Sequence, residues 1–149
     1  MKKFFFFLFS VFIISGCSVM QKNTFSKLDK NQTIAILPFK NLSETPYAGI
    51  KASLVAEGVL RSKGYKVIRA YKLVNDKAIL KDVNSTYYLK GKVIEWKYKT
   101  GIDGEPAVSV YVELKDKNAS VLFSSIASRS DSGYRSLGVS AEELFESVF

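Results

Sequence analysis

The sequence predicts an α/β domain: a mixed sheet with a βαβ start, an antiparallel β-meander and a C-terminal helix, the helices packed on the sheet. Three observations predict it. The apolar run TIAILPF at 33–39 is followed by apolar residues at helical spacing and then by a second short apolar run. Val108, Val110, Val112 and Leu114 alternate with Ser109, Tyr111 and Glu113, the period of a half-buried strand. An apolar stripe of helical period closes the chain.

Residues 33–39 read as a strand buried on both faces. Residues 40–47 hold Asn, Ser, Thr and Pro and read as a loop. A helix is expected over 46–63, with Ala48, Ala52, Val55, Ala56 and Val59 on its core face and Gly64 at its C-terminal cap. Ile50 and Leu54 lie four apart and roughly opposite that face. They are either exposed apolar residues that need no partner or a subunit contact. Residues 65–70 read as the next strand, joined by a right-handed crossover, and 72–81 as a short helix. Three strands follow at 87–99, 107–115 and 121–129, joined by GIDGEP and by 116–120, both suited to antiparallel hairpins. Trp96 is expected in or near the core, with a platform for a sugar ring as the alternative. Ser140 with Glu143 resembles a capping box. Ala141, Leu144, Phe145, Val148 and Phe149 form the stripe behind it.

The N-terminus carries a different signal. Lys2 and Lys3 precede an apolar run over 4–14 that only Ser10 interrupts. That run is shorter than the roughly 20 apolar residues a membrane span needs, and it fits the apolar region of a cleaved export signal. Ile14, Ser15, Gly16 and Cys17 follow. A branched apolar residue, two small residues and a Cys make the bacterial lipobox, in which the Cys thiol takes a diacylglyceryl group. The expected division is a signal peptide at 1–16, a lipidated Cys17 and polar tether at 17–31, and one domain at 32–149. Anchoring through two or three acyl chains such as palmitate is slow to release, because each buried CH₂ contributes about 0.8 kcal/mol. Ser18, where enteric bacteria place Asp to retain lipoproteins in the inner membrane, favours the outer one.

Composition narrows the function. The formal charge is +8, there is no His, and Cys17 is the one Cys. Losing Lys2 and Lys3 lowers the charge by two, and the domain stays basic. No internal disulfide is possible. The usual zinc ligands and the Ser-His or Cys-His nucleophile pairs are missing, so no metal site, cofactor or catalytic residue is expected. A basic surface can meet headgroups, acidic glycans or nucleic acid, but no nucleic-acid recognition motif is present. Lys90, Lys92, Lys97 and Lys99 stud one strand, either as a solvated face or as contacts to anionic headgroups.

Three stretches, AILPFKNLSETPYAG, GKVIEWKYKTGIDGEPAVSVYVEL and VLFSSIASRSDSGYRSL, resemble the PelC-like outer-membrane lipoproteins of the Pel exopolysaccharide export system, within the wider CsgG/LpoB-like architecture. The resemblance covers roughly the whole domain; ILPF-N-SETP-AG and EW-YK-GIDGEPAV are its specific parts. It implies a ring-shaped homo-oligomer, a dodecamer in the family, lying beneath the outer membrane. Its implied partners are a PelB-like β-barrel porin with its periplasmic scaffold, membrane lipid and a cationic exopolysaccharide. The family's acidic pore residue falls on Asp103 in DGEP. Its membrane-touching aromatic residue falls on Tyr134, where the family has Trp. Tyr keeps an amphipathic ring suited to a headgroup interface but buries less area. The stretch between Ala70 and Tyr87 is also shorter than the family's.

By itself Asp103 is a turn former, since Asp-Gly is a common hairpin signal. Repeated around a ring, it becomes part of a collective negative field focused by low-dielectric walls. Such a field would draw a partly deacetylated, cationic amino-sugar polymer through weak, multiple contacts. Glu105 adds to that field or faces solvent. A glycosidase needs two carboxyls flanking a bond, one with a raised pKa; two on one short loop are a poor match. The alternative reading is a monomeric, LpoB-like periplasmic adaptor that activates a cell-envelope enzyme.

Overall fold

Alternating apolar residues and one helical crossover arrange this chain into two layers. The computed structural model describes residues 25–98, 104–132 and 134–149. A 3-10 turn at Phe25–Lys27 precedes β1 (Thr33–Ile36), β2 (Lys40–Asn41), α1 (Ala48–Ser62) and β3 (Lys66–Arg69). Then come β4 (Tyr71–Val74), β5 (Lys77–Leu80), β6 (Tyr87–Tyr98), β7 (Pro106–Asp116), β8 (Val121–Ser130) and α2 (Leu137–Val148). The main sheet is ordered β3-β1-β6-β7-β8, and β2 also pairs with β6. β1 runs parallel to β3 and to β6, while β6, β7 and β8 form the antiparallel meander. The mixed sheet and C-terminal helix agree with the expected class.

Both helices cover one face. α1 lies over β3 and β6, α2 over β7 and β8, and the helices touch each other. The core joins Ile34, Ile36, Leu89, Val93, Val108, Val110, Val112 and Leu114 of the sheet to Ala48, Ala52, Ala56 and Leu60 of α1 and to Leu144, Phe145 and Val148 of α2. Alanines bring α1 close to the sheet. Phe39 sets the limit of approach: a Cβ on Gly49 would meet its carbonyl oxygen at 2.1 Å, and one on Gly91 would meet its ring at 2.4 Å. α1 ends as expected. Gly64 has φ +85, and the amides of Gly64 and Tyr65 donate to the carbonyls of Arg61 and Leu60, which is a Schellman motif. Trp96 is buried, as expected, and its carbonyl accepts from the Thr45 hydroxyl.

Four local expectations change. Residues 72–81 are not a helix; they belong to the β4–β5 hairpin, whose Asn75 and Asp76 both take positive φ, as a two-residue type I′ turn requires. Residues 40–41 are not all loop: the line of β1 resumes there along Lys92 and Val93. α2 begins one turn before the expected capping box. Its N-cap is Ser136, whose hydroxyl accepts from the Val139 amide, and Ser140 is buried inside the helix. Packed structure also starts before residue 32. Phe25 meets the rings of Tyr65, Phe123 and Phe149, and its carbonyl accepts from the Tyr65 hydroxyl at 3.0 Å. Among the described residues no helix is long and apolar enough to cross a membrane.

Candidate functional site

The last residue of β6, the first of β7 and the last of β8 lie side by side, since Tyr98 pairs with Pro106 and Ala107 with Ser130. Because α1 and α2 run back along the sheet from this end, both helix N-termini, with their partial positive charge, point here. Residues 42–47 before α1, the described ends of the β6–β7 connection, and residues 131, 132 and 134–136 before α2 meet here. They are tied together. The Asp131 amide donates to the Pro106 carbonyl at 3.2 Å, and the Leu137 amide donates to the Tyr98 hydroxyl at 3.0 Å. Arg129 Nε donates to Asp131 at 2.6 Å, and both Arg129 and Arg135 pair with Glu143 on α2. The hydrogen bond from Arg129, aided by one from Ser140, holds the Asp131 carboxyl below the usual carboxylate range.

Tyr134 sits on this pinned loop with its ring fully exposed (105%). Glu105 lies across the same end, half-buried, just after Gly104, whose φ is +51. The structure therefore brings Glu105 and Tyr134 to one end of the molecule. Asp103 and Cys17 lie outside the described residues, as does Lys99. Ile50 and Leu54 do not form an open ridge on the helix back; both are half-buried, and Lys51 and Gly58 stand outward instead. Lys90, Lys92 and Lys97 are exposed, and Lys97 approaches Glu95 at 3.6 Å.

Sequence reasoning missed the Arg129–Asp131–Glu143–Arg135 cluster, whose members all fall within residues 129–143 but meet only when α2 folds back over β8. It also missed a groove of about 630 Å³ on the sheet face that the helices leave uncovered, lined by Leu37, Leu42, Ile94, Ile126, Lys92 and Tyr111 among others. The alternation of 107–115 signalled this face, since Tyr111 and Glu113 fall opposite the core positions. In the groove the Lys92 ammonium lies 5.5 Å from the Tyr111 ring centre, and the Tyr111 hydroxyl donates to Glu113 at 2.6 Å. That bond, aided by the neighbouring Lys115, lowers the Glu113 pKa, and the same bond together with burial raises that of Tyr111. Glu113 and Asp131 are thus both held ionised, opposite to the raised carboxyl that glycoside cleavage needs in its acid. Among the described residues no group of three or more His, Cys, Asp or Glu could hold a metal ion.

The chain matches no protein-family model and no curated protein. Among solved structures it is similar to a PelC dodecamer from Paraburkholderia phytofirmans. The identity is 35%, the match covers 81% of this chain and 88% of that one, and the TM-score is 0.70. A point variant of the same dodecamer in another crystal form matches at the same identity and TM-score, with 86% of that chain covered. The lipoprotein GNA1162 from Neisseria meningitidis shares the fold, at 23% identity over 72% of this chain and 91% of that one, with a TM-score of 0.53.

Proposed function

The chain belongs to the PelC family, and from that premise we propose that it is a lipid-anchored, non-enzymatic export component. In this reading copies close into a ring, a dodecamer as in the relative, beneath the outer membrane. The ring guides a cationic, Pel-type exopolysaccharide toward a PelB-like β-barrel partner. The observation that carries the reading is the 35% identity to a dodecameric PelC across 81% of the chain.

The roles follow from chemistry. Cys17 carries the acyl chains. Asp103, with Glu105 beside it, faces the lumen, where many copies of one carboxylate sum to a field that attracts amine-bearing sugars without holding any of them tightly. Tyr134 meets the headgroup region with a ring that is apolar at the face and polar at the tip. Ile50 and Leu54, half-buried within one chain, complete their burial against a neighbour. The tether length supports both membrane contacts at once. Residues 17–24 span at most about 29 Å when extended. From Phe123, beside Phe25, to the end of β8 is roughly 23 Å. A nearly straight tether therefore lets Cys17 and Tyr134 reach one bilayer surface.

The test is polymer export in cells that carry the variant Asp103→Lys. Secreted polymer should fall about tenfold or more, the scale on which a focused field raises local ligand concentration, while the oligomer persists in detergent extracts. Undiminished secretion with the ring intact removes Asp103 from the mechanism.

A further inference from the structure

Among the described residues the β4–β5 hairpin pairs with no other strand. A lone two-stranded hairpin is marginal in water, yet this one keeps four large apolar residues exposed: Leu73, Val74, Ile79 and Leu80. Its cross-strand pairs sort them onto two faces. One face alternates Val74 and Ile79 with Lys72 and Lys77. The other carries Leu73, Ala78 and Leu80, has no charge, and runs down to Tyr71, which is buried and anchored to Ser53 of α1 by a 2.7 Å hydroxyl–hydroxyl bond. The hairpin is thus fixed at its root and apolar along one side. A second uncovered apolar surface is the groove on the sheet face away from the helices, where Leu42, Ile94 and Ile126 are 53%, 46% and 67% exposed.

A closed ring of more than two copies joined by one kind of contact needs a head-to-tail interface, in which two different patches of the same chain meet. The structure offers one projecting apolar element and one concave apolar surface, on different sides of the domain. We infer that the uncharged face of the β4–β5 hairpin docks into the open-face groove of the next copy. Leu73 and Leu80 then cover Leu42, Ile94 and Ile126, and Lys92 stays at the groove over Tyr111. The lysine-bearing face of the hairpin turns to solvent, which keeps its charges away from those around the groove. This rests on the self-assembly proposed above and names the surfaces that perform it.

The test uses the full chain in detergent with two surface variants, Leu80→Glu on the hairpin and Ile126→Glu in the groove, and reads mass in solution. Circular dichroism and thermal unfolding confirm that each is folded; Leu73→Glu and Leu42→Glu replace either one that is not. Each variant alone should be solitary. Mixed, they should form pairs and stop there, because the intact hairpin of one fits the intact groove of the other and both remaining ends are blocked. A parent chain that is itself solitary defeats the ring. A parent that assembles, with variants that assemble equally well or that stay solitary when mixed, defeats the hairpin–groove contact and leaves the ring standing.

Discussion

The two ends of the sheet are made of opposite materials. At the end where β6 and β8 begin, Phe25 meets Tyr65 and Phe123 edge to face and Phe149 at a tilt, and Phe145 stacks on Phe149. At the other, Arg129, Arg135, Asp131, Glu143, Ser136 and Tyr98 hold short loops by hydrogen bonds and ion pairs. The first end takes up the N-terminal segment at Phe25 and is held by area removed from water. The second leaves Tyr134 fully exposed and Glu105 half-buried, and is held by directional polar contacts. Burial fixes a segment without exposing anything. Hydrogen bonds fix a loop while leaving its tip in solvent.

The comparison can be broken hardest at the aromatic end. Phe25→Ala removes a ring that is 1% exposed and should cost about 3 kcal/mol in denaturant unfolding, the lower part of the range for buried Phe truncation. A loss below about 1 kcal/mol would mean that the N-terminal segment is only loosely held. At the charged end Arg129→Met should cost about 1 kcal/mol, because the guanidinium is partly exposed and its ion pairs are screened. pH sharpens this test. Asp131 is held below its ordinary value of about 3.9, so its contribution is fully present above that value and is lost as pH falls through the lower folded one. The stability gap between parent and variant should therefore close on acidification; a gap independent of pH would assign the loss to packing of the Arg129 stem. Ser136→Ala, at the same end, should show the smallest effect. Loss of an exposed N-cap should cost about 0.5 kcal/mol, with helix content lowered only near the start of α2.

The sequence was most legible where one local period decided the outcome. The alternation of Val108, Val110, Val112 and Leu114 predicted β7, and the alanines at 48, 52 and 56 predicted the core face of α1. It misled where two local signals compete. Residues 72–81 carry apolar residues that suit a short helix, but Asn75 and Asp76 accept the left-handed backbone that folds them into a hairpin. Ser140 and Glu143 imitate a capping box, yet Ser136 takes the cap and Ser140 is buried instead, its hydroxyl on the Ser136 carbonyl. Buried Ser109 reads as a solvent-facing position until Ser128 arrives across the sheet at 2.7 Å.

By itself the sequence carried the lipobox pattern that ends at Cys17, the lack of His, the strand and helix periods and the family likeness, because each is read from composition or from residues that are neighbours in the chain. Only the tertiary structure decided that Glu105 and Tyr134 share one end, that Glu57 is buried against Arg61 and Arg69, and that among the described residues the helices leave one sheet face uncovered while the β4–β5 hairpin pairs with no other strand. Those relations depend on strand order and on which face the helices take, and both follow from burial of the whole apolar surface at once.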